Sequence, residues 1–508
     1  MGLFTRAVAS LQALAAPRHK YRAIPAPVSD RHTAQQLSYA PPPRSRYSKI
    51  SMVAMLLAVF VFLGLAFARD RRPETTPCVD KGRCTHDTQK HWGQYSPYFS
   101  APHDSISPDV PSECKVVFAS VLSRHGSRFP TTSKSKAYKL LVERIQKDVK
   151  SYGKGYEFIK SYKYKLGAND LTSHGEEEMV NSGKHFLHRY KKLAKEVTHP
   201  FVRASGSKRV ILSARRFVQG FYKAKGIKNG DKYLPDILVI PEGDGFNNTL
   251  DHGSCKAFEQ GPDSKLGHKM KDAWRKTWAA PIRERLNKKL PGANMSLEDT
   301  VNFMDLCPFD TVASRKAKTI SQFCRLFSED EWHGYEYYES LDKWYRYGPG
   351  NPLGPTQGVG YVNELIARLT HSPVKDHTST NQTLDQSPTT FPINRLLYAD
   401  FTHDNTMLTI YGALGLFSNS THLPTDRVTS PREADGFSAS WTVPFAARMY
   451  VERMRCNTDR DLIRVLIDDR VVAPKNCKAD KLGRCEAKDF LKGLDFAVKG
   501  GLWNQCGK

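Results

Sequence analysis

At 508 residues the chain is longer than one ordinary hydrophobic core serves, so two domains or one elaborated domain is expected. Its hydrophobic content of 40% with 11% aromatics is that of a globular protein. The formal charge of +24 fits nucleic acid, a membrane surface or a polyanionic small substrate. No zinc-type Cys-x-x-Cys pair, Walker Gly-x-x-x-x-Gly-Lys or RNA-binding aromatic signature accompanies it, which argues against nucleic acid as a partner.

Residues 1–49 are basic and Pro-rich at Pro41-Pro42-Pro43, with Asp30 their only carboxylate, and read as a disordered tail. Arg6 stands where N-myristoylation requires Ser or Thr. Met52 to Ala68 is an uninterrupted apolar run, so 50–68 is a single membrane anchor or a signal segment. The long tail before it favours an uncleaved signal anchor; Ala66-Phe67-Ala68 would serve the alternative as a cleavage site. All ten cysteines follow this run, as do the sequons at Asn247, Asn294, Asn381 and Asn419. Both observations put the C-terminal side in an oxidising compartment, extracellular or luminal, with disulfides expected. Residues 69–110 form an irregular arm containing His91-Trp92-Gly93-Gln94-Tyr95-Ser96-Pro97-Tyr98.

Val116-Val117-Phe118 to Val121 reads as a buried strand of a parallel sheet. It runs into Leu122-Ser123-Arg124-His125-Gly126-Ser127-Arg128-Phe129-Pro130, which places His125 at the strand's carboxyl end, the edge where open α/β sheets bind ligands. Arg124 and Arg128 flank it and can converge on one anion, since guanidinium forks match phosphate oxygens bidentately. Two such cations disfavour the imidazolium and keep a ring nitrogen free as a nucleophile. Much later, Ile393–Phe401 returns to strand character and ends in Thr402-His403-Asp404. Neighbouring residues at a strand end point apart, so one can face a phosphate and the other a leaving oxygen.

Arg-His-Gly-x-Arg-x-Pro, together with Tyr398-Ala399-Asp400-Phe401-Thr402-His403-Asp404, resembles the histidine acid phosphatases, and among them the fungal phytases. The arm phrase His91–Tyr98 is similar to the segment before the first strand of those phytases. The resemblance spans about Cys78 to Cys506 and implies a phosphoglycerate-mutase-like α/β sheet flanked by helices. It also implies the pairs Cys78–Cys84, Cys114–Cys456, Cys255–Cys506, Cys307–Cys324 and Cys477–Cys485, among which spacing alone could not choose. The N-terminal tail departs from the secreted phytases.

Between the two motifs, Ser135–Tyr152 carries helical periodicity, and Gly175-Glu176-Glu177-Glu178 opens a second helix running to about Lys195. Phe201-Val202-Arg203-Ala204-Ser205-Gly206-Ser207 reads as a short strand, followed by strand-like Arg209-Val210-Ile211-Leu212 and a helix opening at Ala214. The stretch is similar to the one carrying the family's third phosphate-binding arginine, which points to Arg203. Asn247–Gly253 reads as a loop leading to Cys255, with His252 structural rather than catalytic. Residues 257–389 read as an inserted helical domain ending in a polar loop, with helices over Met270–Leu290, Ser296–Cys324 and Asp342 onward to Asn363–Leu369. The α/β domain then comprises 111–256 and 390–508, where Ala446–Arg455 and Leu462–Ile467 are strands and Ala487–Val498 a closing helix.

Phosphate monoester hydrolysis needs a nucleophile, neutralisation of the equatorial oxygens and a proton for the leaving alkoxide. The resemblance assigns these to His125, to Arg124, Arg128, Arg203 and His403, and to Asp404. No step requires a metal or other cofactor, and a monomer suffices. Three readings follow: a phytase acting on myo-inositol hexakisphosphate, a broad-specificity acid phosphatase, and an anchored anion-binding protein without turnover. The retained His125 and Asp404 disfavour the last. The basic charge favours the first, because six phosphates gain from each further cation, with Lys154, Lys160 and Lys163 as cleft candidates.

Overall fold

The computed structural model describes residue 77 and residues 86–507, apart from 104–105, 228–234, 244, 315–318, 419–421 and 458. The tail, the 50–68 anchor or signal segment and the Cys78–Cys84 pair lie outside the described residues, as does the sequon at Asn419. Among the described residues no helix is long and apolar enough to cross a membrane.

β1 (Cys114–Arg124) is the middle of a mixed sheet. The strands β2 (Phe201–Ser205), β3 (Leu238–Ile240), β4 (Leu397–Thr402), β5 (Arg448–Cys456), β6 (Asp461–Ile467) and β7 (Arg470–Val471) give the order β3-β2-β4-β1-β5-β6-β7, with β8 (Arg484–Glu486) added on β6. β3, β2, β4 and β1 are parallel and the rest antiparallel. The β1–β4 register runs from Ala119 opposite Leu397 to Arg124 opposite Thr402, so the two strands end together.

Side chains alternate between the two faces of β1 and β4, as a pleated strand requires. Val121, Ala399 and Phe401 point into one apolar cluster with Met179, Phe186, Phe217 and Phe221. Those last four come from α2 (Ser173–Arg189) and α3 (Lys208–Lys225), which follow α1 (Thr132–Asp148) and cover this face as a close pair. A Cβ on Gly183 would sit 1.9 Å from the Phe217 carbonyl oxygen, so glycine there sets the helix approach. Phe118, Leu122 and Tyr398 point the other way, into a larger cluster. Its remaining walls are α4 (Leu266–Lys289), α5 (Leu297–Ala313), α6 (Glu329–Arg346), α7 (Val359–Thr370) and α8 (Gln382–Asp385) with its loop.

Between β3 and β4 there are only helices and loops among the described residues. Its apolar faces merge with the sheet's own core, and Arg72–Lys508 clusters as one compact unit. Four of the five expected disulfides are present: Cys114–Cys456, Cys255–Cys506, Cys307–Cys324 and Cys477–Cys485. Three element expectations need correction. Arg209–Leu212 is not a strand but the first turn of α3, which starts after Ser207. The Ser296–Cys324 helix stops at Ala313 and resumes only as a short turn at Gln322–Leu326. The closing helix is two pieces, Ala487–Lys492 and Asp495–Val498, interrupted at Gly493.

Candidate active site

Because β1 and β4 end in register, the residues that follow them meet: His125 N–H donates to the Thr402 carbonyl at 3.2 Å, and the His125 and His403 rings lie 5.6 Å apart. His403 caps α9 (Asp404–Ala413) and Asp404 is its first residue. One strand end thus delivers the histidine and the next delivers the His-Asp pair.

His125 is 1% exposed. Its Nδ1–H donates to the Gly126 carbonyl at 2.8 Å, which leaves Nε2 with its lone pair. Burial, then the charges of Arg124 and Arg209, with His403 and Arg128 adding to them, hold its pKa well below the ordinary histidine value. The ring therefore stays neutral and nucleophilic into the acidic range.

The turn carrying it is pinned from behind. Ser127 N–H donates to Glu178 Oε2 at 2.8 Å, and Tyr98 N–H donates to Glu178 Oε1 at 3.0 Å. The Gly126 N–H donates to Ser213 Oγ at 3.2 Å. Gly126 and Gly175 touch backbone to backbone, since a Cβ on Gly126 would meet the Gly175 carbonyl oxygen at 2.2 Å. A side chain at either glycine would push α2 away from the turn.

Arg124 is fully buried, with Nη1 donating to the carbonyls of Gln94 and Val443 and its guanidinium 4.6 Å from the Phe445 ring centroid. Its Nη2 faces Asp404 Oδ2 at 3.4 Å. Lys343 Nζ, from α6, donates to the same oxygen at 2.8 Å and to Asn405 Oδ1 at 2.6 Å. Burial pushes the Asp404 carboxyl up, but Arg124 and Lys343 outweigh it and hold the group well below the usual carboxylate range. Arg128 is half-buried, and its charge reaches His125, Arg124 and Arg209.

Arg203 requires a correction. It lies within β2, 1% exposed, with Nε 2.8 Å from Asp400 Oδ1 and Nη2 2.6 Å from Glu364 Oε2. Arg368 Nη1 reaches Asp400 Oδ2 at 2.6 Å, so these charges form a closed buried network that ties β2, β4 and α7 together. Arg203 is spent on carboxylates and has no guanidinium face left for phosphate. The third arginine at the strand ends is Arg209, six residues on. Its Nη2 donates to His403 Nδ1 at 3.3 Å, and its charge is among those that depress His125. A strand over residues 209–212 would point this side chain elsewhere; the local signal for a helix is the Ser-Gly-Ser turn before a basic helix start.

Two further residues were not legible from the sequence. Glu242, after β3, accepts from His403 Nε2–H at 2.8 Å and so fixes that ring's tautomer. Burial raises the Glu242 carboxyl, yet the His403 contact and the donors from Ser205 and Ser207 bring it down to about 2. Lys343 is the other, and it comes from the helical segment. Lys154, Lys160 and Lys163 are exposed, and none bonds to His125, His403 or Asp404 among the described residues. His252 packs between Phe258 and Tyr347 with Nδ1 2.7 Å from Glu259 Oε1, a structural arrangement. No cluster of three or more His, Cys, Asp or Glu that could hold a metal occurs among the described residues.

A buried, neutral histidine at a parallel strand end, among guanidiniums and with a carboxyl at the adjacent strand end, is an arrangement suited to binding phosphate. Residues 115–468 match the model of the histidine phosphatase superfamily (branch 2), and the chain belongs to that family. It is 51% identical over 428 residues to Phytase A of Emericella nidulans, covering 84% of this chain and 92% of that one. To Phytase A of Aspergillus fumigatus it is 48% identical over 466 residues, covering 90% and 99%. Among solved structures, the phytase from D. castellii superposes with a TM-score of 0.69 at 21% identity, covering 84% of this chain and 90% of that one, a likeness of fold.

Proposed function

We propose that this chain is a phytase that removes phosphate from myo-inositol hexakisphosphate, giving lower inositol phosphates and inorganic phosphate. The observation that carries the reading is His125 Nε2, bare and neutral among Arg124, Arg128 and Arg209, with Asp404 across the gap between two strand ends. The relatives named Phytase A, near half identical over most of the chain, support the substrate.

In the first step His125 Nε2 attacks phosphorus, the bond to the ester oxygen breaks, and that oxygen leaves with a proton from Asp404. Arg124, Arg128 and Arg209 neutralise the charge spread over the equatorial oxygens, the largest contribution such a site makes, with His403 holding the Arg209 guanidinium beside them through Nδ1. In the second step water attacks the phosphohistidine, its proton passes to the Asp404 carboxylate, and phosphate leaves with His125 restored.

The four disulfides support an extracellular or luminal catalytic part. The reading of residues 50–68 as an anchor or signal segment rests on their apolar run alone.

Turnover on phytate and on p-nitrophenyl phosphate tests the function. Wild-type protein should prefer phytate, and acid quenching with labelled substrate should trap phosphate on His125. His125→Ala should be inactive yet folded. Asp404→Asn should lose most turnover on phytate and far less on p-nitrophenyl phosphate, whose leaving group needs little protonation. Preference for the aryl phosphate would instead establish a broad-specificity phosphatase. A label on serine, or equal losses on both substrates in Asp404→Asn, would overturn the assigned roles.

A further inference from the structure

Ser127, two residues after His125, is held at both polar ends of its backbone by the start of α2. Its carbonyl accepts from Thr172 N–H at 2.9 Å and from the Thr172 hydroxyl at 3.2 Å, and its N–H reaches Glu178 Oε2 at 2.8 Å. The other oxygen of Glu178 holds a second segment, since Oε1 accepts from Tyr98 N–H at 3.0 Å. That segment is the arm before β1, and four residues before Tyr98 the Gln94 carbonyl accepts from Arg124 Nη1. One carboxylate therefore joins the turn that carries His125 to the stretch that orients Arg124.

Glu178 is buried, so its charge needs a partner. His174, one turn earlier on α2, supplies it, with Nε2 3.5 Å from Glu178 Oε1. Both residues line a cavity of ≈ 300 Å³ together with Tyr98 and Arg448. The His174 side chain is 19% exposed, so solvent protons reach it. Arg448, from β5, lies 3.6 Å over the Tyr98 ring, and Glu177 adds its charge to His174. Asp469 accepts from the Tyr98 hydroxyl and pairs with His185, while Glu176 is engaged with Arg216. Burial lowers the His174 pKa, but Glu178 outweighs it and raises the ring above the ordinary histidine value. Burial raises the Glu178 carboxyl, yet His174 and the donors at Ser127 and Tyr98 bring it below its ordinary value. The charge state matters because only a carboxylate accepts at both oxygens. A protonated carboxyl turns an O–H towards one of the two N–H groups, and that bond is lost.

We propose that Glu178 is a positioning residue for the reaction and His174 its counter-ion. The charged pair fastens the nucleophile turn to the arm, and protonation of Glu178 frees the turn and so sets the acid limit of turnover. This role presupposes His125 as the nucleophile. Neither His125 nor Arg124 is bonded to Glu178, so the carboxylate acts through the backbone of Ser127 and of the arm. Once it lets go, His125 Nε2 loses its aim at phosphorus, and a small misplacement of that kind is costly in rate.

The test follows kcat on phytate against pH for the full chain and its variants, with circular dichroism at each pH to confirm an intact fold. Labelled phosphate is trapped on wild-type protein in parallel. His174→Gln removes the counter-ion's charge, so the Glu178 pKa rises. The acid limb of the profile should move up by about one pH unit while the basic limb stays in place. Glu178→Gln should lower kcat at the optimum by about ten-fold with KM nearly unchanged. In that background His174→Gln should move the acid limb no further. An acid limb that stays put in His174→Gln, or moves equally in the Glu178→Gln background, would overturn the proposal. Should Glu178→Gln fail to fold, the limb of His174→Gln alone decides. Wild-type protein without label on His125 would bring down the nucleophile assignment and this role with it, whereas label on His125 with an unmoved limb brings down this role alone.

Discussion

Two arginines six residues apart, Arg203 and Arg209, separate structure from chemistry at the residue scale. Arg203 spends its guanidinium on Asp400 and Glu364 inside the protein, whereas Arg209 meets His403 at the strand ends. Their substitutions should therefore fail in different ways. Arg209→Ala should keep the fold and lower kcat/KM on phytate by about 10²-fold, the usual loss for one positioned donor to an oxyanion. Arg203→Met leaves Glu364 and part of Asp400 buried and uncompensated, and should destabilise by roughly 3–5 kcal/mol. The molecules that remain folded should turn over nearly normally. Urea melts beside steady-state kinetics read both effects, and a stable but inactive Arg203→Met protein would contradict the division.

Elements matter through what they carry to the strand ends. β1 and β4 bring His125 and Asp404, the proposed nucleophile and acid, together at their ends, and α6 adds Lys343 from a segment more than 200 residues after His125. α6 is itself well started: Ser328 accepts from Glu331 N–H while the Glu331 carboxylate accepts from Ser328 N–H. Arg124 and, after it, Lys343 hold the Asp404 carboxyl low in the free enzyme, yet a general acid must be protonated when the ester oxygen leaves. Bound phosphates neutralise the cations and add negative charge beside the carboxyl, so its pKa rises in the complex. Turnover should then be acidic in optimum and lost as pH rises through that raised value. Lys343→Met removes one cation that favours the carboxylate and raises the Asp404 pKa further. The basic limb of the kcat profile should move up by about one pH unit. An unmoved limb, or one displaced to lower pH, would show that Lys343 does not set the acid.

At the scale of the whole molecule, the acidic optimum expected of the site requires a fold that survives there. Burial raises the Asp400 carboxyl, but Arg203 and Arg368 outweigh it and hold the group at about 2. Because its folded value is depressed, the stability it contributes is present above the unfolded value of about 3.9 and is lost as pH falls through about 2. That contribution is on the order of 2 kcal/mol. Thermal melts between pH 5 and pH 2 should show Tm nearly level to about pH 4 and falling below it. Asp400→Asn should start from a lower Tm and fall less over the same window. A wild-type Tm that rises on acidification below pH 4 would refute the account. The disulfides act in the same direction, Cys114–Cys456 above all, since it joins β1 to β5 across 342 residues of sequence.

What the sequence determined by itself was local. A β-branched run ending in Arg124-His125-Gly126 specifies a strand and the turn after it, and Thr402-His403-Asp404 at the end of a second run does the same, because these depend on near neighbours and on a two-residue period. The helical character between β3 and β4 was legible for the same reason. Only the tertiary structure decided which charges meet. Arg203 and Arg209 sit on either side of one Ser-Gly-Ser turn, and a single question, whether residues 209–212 continue as strand or begin a helix, decides which guanidinium reaches the strand ends. The apolar Val210-Ile211-Leu212 fits either answer locally, and packing of Val210 with Phe217 and Phe401 settles it as helix. Lys343 and Glu242 escaped for a related reason. A lone lysine or glutamate carries no local pattern that separates a buried partner from a solvated one, and its role is set by β-register and helix packing across long stretches of chain.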